Sequence, residues 1–145
     1  MKLPHDTIIL VVDGARMLLL RNVADAVLPD LQVIEHRQNE SLPSRELSSD
    51  APGTTFSSGS PARSSYDEGD PHVSEEIRFV ASVAKALDSL TQAEAGDIII
   101  AAAPRALGIL RSEYSDRVRA KVIAEVDKDF THLPVPQIAQ RLMML

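Results

Sequence analysis

Residues 97–133 read DIIIAAAPRALGILRSEYSDRVRAKVIAEVDKDFTHL. The run Ile98–Ala103 is wholly apolar, and a run of that length between breakers predicts a central strand covered on both faces. Pro104 stops it and suits the first position of a helix, whose inward face would use Leu107, Leu110 and Tyr114. From Val118 to Val126 the apolar positions alternate with Arg119, Lys121 and Glu125, which predicts a half-exposed strand. The 118, 122, 126 spacing also fits a helical stripe, so a helix is the alternative there. The charged turn Asp127–Asp129 then follows. Polar residues just beyond such strands matter because open α/β sheets place their sites at the carboxyl edge.

Working outward, Thr7–Val12 and Arg16–Asn22 flank Asp13-Gly14, a strong hairpin signal. Leu31–Gln38 is a third strand. Between Ser41 and Gly69, Ser, Pro and Gly dominate and apolar periodicity disappears, which predicts a long flexible or disordered loop inside one domain spanning residues 1–145. Asp70 can cap a helix opened by Pro71, with Glu75 and Glu76 near the positive end of its dipole. Its buried stripe would be Val73, Ile77, Val80, Ala84 and Leu87, and Gly96 would mark its exit. Pro134 and Pro136 precede a last helix carrying Ile138 and Leu142. The predicted order is β-β-β-α-β-α-β-α, an α/β fold with a mixed sheet and helices on both faces, the layout of ribonuclease H-like sheets.

Composition narrows the function classes. Aromatic residues are 3% with no Trp, and the net charge is −6, which argues against a broad nucleic-acid-binding face. With no Cys there is no thiolate nucleophile and no Cys-based metal site. The apolar run near the N-terminus is too short for a signal-peptide core or a membrane span, which predicts a cytoplasmic protein without membrane insertion.

Few residues suggest chemistry. Asp13 ends the first strand, where a carboxylate could bind a metal, but it is also the ordinary turn residue of an Asp-Gly hairpin, and no carboxylate follows the central strand to join it. Arg105 at a helix start opposes the dipole. It would contact an anion, as would Arg111, or pair with a carboxylate such as Asp127 or Asp129. Lys128, Asp129, Thr131 and His132 crowd the turn after the last strand. His132 has no partner tied to it by sequence, so a general-base role is disfavoured. His5, His36, His72 and His132 show no metal-ligand spacing, so neither metal nor cofactor is expected. Arg63 and its neighbours Arg37 and Arg45 flank the long loop and could touch RNA or an acidic partner. Interspersed Asp67, Glu68 and Asp70 dilute that charge.

Several motifs fit one family. They are Asp70-Pro71-His72 through Phe79, the A-A-P-R-x-L-G-x-L-R pattern at Ala102–Arg111, the K-D-F-T-H pattern at Lys128–His132, and T-x-x-x-V-x-D-G at Thr7–Gly14. Together they resemble the bacterial host attachment protein family, named for a role in attachment to host cells. That family resembles in turn the middle domain of archaeal and eukaryotic peptide-chain release factors. The resemblance covers nearly the whole chain apart from residues 41–69. Release-factor domains act through a Gly-Gly-Gln tripeptide on the loop before their long helix; here that loop offers Ser57–Arg63 and the tripeptide is absent. The resemblance therefore implies no release activity. The favoured expectation is a non-catalytic protein acting through an unidentified protein partner. Next comes a ribosome- or tRNA-associated factor, and a metal-dependent ribonuclease ranks last. The candidate interaction or anion-binding residues are Arg63, Arg105, Arg111, Lys128, Asp129 and His132.

Overall fold

The computed structural model describes residues 1–39, 71–93 and 96–145. Five strands, β1 (Ile8–Val12), β2 (Arg16–Asn22), β3 (Leu31–Gln38), β4 (Ile98–Ala102) and β5 (Val122–Val126), form one sheet in the order β3-β2-β1-β4-β5. The β1–β2 and β2–β3 pairs are antiparallel, and β1–β4 and β4–β5 are parallel. The apolar run Ile98–Ala102 is buried throughout and flanked on both sides, as its composition requires, although β1 and not β4 holds the middle place.

Alternation along β1 divides the core in two. Ile8, Leu10 and Val12 face one layer, beneath helices α1 (Pro71–Ala93), α2 (Pro104–Glu113) and α3 (Asp116–Lys121). Ile9 and Val11 face the other, with Phe130 and helix α4 (Val135–Met143). Helices on both faces bury both sides of the inner strands, so these read as unbroken apolar runs.

Two expectations need correction. The segment 118–126 is not one strand: α3 precedes a shorter β5, and the order becomes β-β-β-α-β-α-α-β-α. Ser115 decides this, because its hydroxyl oxygen accepts the Val118 N–H at 3.1 Å as an N-cap. Asp116 in the first turn and Arg119 and Lys121 in the last complement the helix dipole. In α1, the predicted stripe holds for Val80, Ala84 and Leu87, joined by Phe79 and Val83. Ile77, however, is 43% exposed; at this turn of the helix it is its neighbour Glu76 that packs against the sheet side, at Gly14. The expected cap Asp70 and the long loop lie outside the described residues, and Gly96 falls beyond the described end of α1. No described helix is long and apolar enough to cross a membrane.

Candidate functional site

The parallel strands β1, β4 and β5 end on one edge, and Asp13, Ala103 and Asp127 are the residues that follow them. Asp13 does the turn work its sequence predicts: Oδ1 accepts the N–H groups of Ala15 and Arg16, both at 2.7 Å. Its other oxygen does more. Oδ2 accepts the Thr131 hydroxyl at 2.9 Å, and the same hydroxyl lies 2.5 Å from Asp129 Oδ1. A hydroxyl has one proton, so it serves one carboxylate at a time. The Thr131 N–H also donates to Asp129 Oδ1, at 2.9 Å. Phe130, buried in the second core layer, roots the loop that carries these groups.

His132 completes the cluster. Its Nε2 lies 3.8 Å from Asp129 Oδ2, and Arg16 Nη2 lies 2.7 Å from Nδ1 and 3.0 Å from Nε2. One nitrogen that near both ring nitrogens lies on the lone-pair axis of neither, so the guanidinium rests against the imidazole. Burial works against ionisation of Asp129, but the Thr131 hydroxyl and amide, contact with Asp13 and the charge of His132 outweigh it and hold the carboxyl below its ordinary range.

Asp13, Asp129 and His132 each offer one ligand atom, all within 4.8 Å of one another. A cation with bonds of about 2.0–2.2 Å draws its ligands somewhat closer than that, so modest tightening would let the three hold one ion. The guanidinium of Arg16 already supplies positive charge beside them. No carboxylate follows the central strand, as the sequence reads, but Asp129 and His132 reach Asp13 from the loop after β5. The β1–β2 turn and the β5–α4 loop fold onto each other, which nothing local in either segment announces.

The other candidates lie elsewhere. Arg105, in the first turn of α2, pairs with Glu76 of α1 at 3.4 Å, and that carboxylate offsets a cation at the positive helix end. Glu76 also closes over the turn: a Cβ at Gly14 would lie 3.0 Å from its side chain. Arg111 pairs with Glu125 of β5 at 2.8 Å. Arg105 thus has a carboxylate partner, but it is Glu76 and not Asp127 or Asp129, because α2 aims it at α1. Lys128 is exposed in the turn after β5. Arg63 lies outside the described residues. Sequence reading gave no site role to Arg16, Glu76 or Arg119; each acquires its place only through tertiary contact.

A mixed α/β sheet with polar clusters at the carboxyl ends of its parallel strands defines a scaffold class without assigning it an activity. The family is shown by sequence: a family model for the bacterial archaeo-eukaryotic release factor family 12 matches residues 6–142, and the chain belongs to that family. No curated protein gives a match to the chain.

Proposed function

We propose that the protein is a translation-linked factor that associates with the ribosome or tRNA and lacks release chemistry. The observation that carries this is a release-factor family match over nearly the whole chain in a sequence with no Gly-Gly-Gln. Without that tripeptide no backbone and glutamine pair positions water on the peptidyl-tRNA ester, so binding is the part of the inherited function that remains. With a net charge of −6, contact with RNA would use a local patch and weaken steeply with salt. The test is co-sedimentation with ribosomes over a salt series. Binding at low salt, reduced by Arg63→Ala and Arg105→Ala, supports the reading, and absence from the ribosome fraction at every salt concentration sinks it. The host-attachment role that the motifs imply would be non-catalytic interaction with a protein partner; enrichment of one surface protein in a pull-down, with no ribosomal material, favours it instead.

The convergence of Asp13, Asp129 and His132 supports a second reading, metal-assisted cleavage of RNA, in which the carboxylates hold a divalent cation that activates water. Cleavage of mixed RNA that requires Mg²⁺ or Mn²⁺ and disappears in Asp129→Asn would establish it. Intact RNA under both metals removes it.

A further inference from the structure

A second polar recess, of about 420 Å³, opens between the end of α2, α3 and β5, lined by Arg111, Tyr114, Arg119, Ile123 and Glu125 among others. Tyr114 is only 8% exposed, and its buried hydroxyl closes no hydrogen bond of ordinary geometry. A buried donor left open is uncommon and asks for a partner. Burial, then the negative charge of Glu125 and the loose approach of its carboxylate to the hydroxyl, push the ionisation far above the usual phenol range against the pull of Arg111 and Arg119, so the hydroxyl keeps its proton and a ligand oxygen would replace Glu125 as its acceptor. Two cations stand beside it. Arg119 lies 5.6 Å from the Tyr114 ring centroid and donates through Nη2 to the Arg111 carbonyl at 3.2 Å. Arg111 spends Nε and Nη2 on a single oxygen, Oε1 of Glu125.

We infer that this recess binds the phosphate of a ribonucleotide, with the Tyr114 hydroxyl and the Arg111 and Arg119 guanidinium groups as donors. Guanidinium groups favour phosphate over simpler anions because their planar forks match its oxygens. Glu125 sets the selectivity. Its carboxylate repels a fully ionised anion, whereas a ligand carrying a hydroxyl beside its phosphate can donate to it. A ribose supplies such a hydroxyl, and inorganic phosphate near neutral pH carries its own proton. Sulfate has neither. Ile123, 52% exposed, gives the recess an apolar wall against which the rest of the ligand can lie. The source is either a free mononucleotide or an RNA chain. Only the RNA source rests on the translation-linked reading, so the two can fail separately.

Titration calorimetry of the intact protein tests this with inorganic phosphate, adenosine 5′-monophosphate, a short single-stranded RNA and sulfate. One site for phosphate and the mononucleotide is expected, with sulfate weaker. Loss of one charge-assisted donor should weaken binding by about tenfold or more in Tyr114→Phe and in Arg119→Gln. Tyr114→Phe separates binding from folding: a hydroxyl that closes no bond of ordinary geometry can be removed with stability unchanged or higher, a structural role predicts lower stability, and only a ligand role predicts lost affinity in a protein of undiminished stability. RNA binding with the same sensitivity identifies the chain as the source; mononucleotide binding without it identifies the free ligand. No heat with phosphate, mononucleotide or RNA, equal affinity for sulfate, or affinity unmoved by Tyr114→Phe overturns the assignment.

Discussion

Asp13 and Thr131, 118 residues apart in sequence, are joined by a hydrogen bond of 2.9 Å. It ties the turn after the first strand to the loop after the last, across the carboxyl edge of the parallel strands. Thr131→Val removes a bond to a charged acceptor and should cost about 1–2 kcal/mol. Asp13→Ala also releases the Ala15 and Arg16 N–H groups and should cost about 1–3 kcal/mol. Because the residues touch, the double variant should fall short of the sum by about 1 kcal/mol. Urea denaturation of the four proteins measures the cycle, and strict additivity would mean the bond does not form.

Asn22 is fully buried and satisfied from every side. Its amide nitrogen donates to the Leu3, Pro4 and Asp25 carbonyls, and its oxygen accepts the Ala24 and Asp30 N–H groups. One side chain thus organises the N-terminal segment and the loop from β2 to β3. Asn22→Leu leaves several buried backbone groups without partners and should cost about 3 kcal/mol or more, each orphan carrying roughly 1–3 kcal/mol. Thermal melting gives the outcome, and a loss no larger than that of an ordinary surface substitution contradicts this role.

Gly96 shows a constraint of a different kind. A Cβ there would lie 2.1 Å from the Asp6 carbonyl oxygen, and Asp6 itself has a φ of 67°, in the left-handed region. The two segments enter β1 and β4 side by side, with Ile8 N–H bonded to the Asp97 carbonyl at 2.8 Å. Gly96→Ala must push these backbones apart and should cost about 2–4 kcal/mol, as overpacking and backbone strain do elsewhere. Chemical denaturation decides it; an alanine variant as stable as the parent would mean the approach is looser.

These residues also show what the sequence could disclose. The run Ile98–Ala102 reads as a buried strand from composition alone, and Asp13-Gly14 announces its hairpin, because both signals are local. Segment 116–121 misleads because Val118 and Val122 satisfy both periods, and the choice falls to a single hydroxyl on Ser115. Pairing of distant charges is less legible still. Arg111 meets Glu125 because the parallel β4–β5 pairing, with its register shift between Ile98 and Ile99, sets Glu125 opposite Ile100. Nothing local in the sequence distinguishes Glu125 from the nearby Asp127 and Asp129 as a partner. The cluster of Asp13, Asp129 and His132 was visible as separate motifs and invisible as a site, since only the return of the β5–α4 loop brings it together.

Tyr114 gives the chain a pH response with a definite sign. Its pKa is raised by burial first and by the Glu125 carboxylate second, with Arg111 and Arg119 opposing. Above its ordinary value of 10.0 the unfolded chain releases the phenol proton while the folded chain retains it. The folded state then binds more protons, so stability falls as pH rises beyond that point and is unaffected by this group below it. In a Tyr66→Phe background Tyr114 is the remaining tyrosine, as the sequence has two, and tyrosinate absorbance should appear only together with unfolding. Adding Tyr114→Phe should flatten the alkaline decline in denaturant midpoint. Tyrosinate appearing near its ordinary pH in a protein still folded by circular dichroism would show that burial and Glu125 do not hold the proton on the hydroxyl.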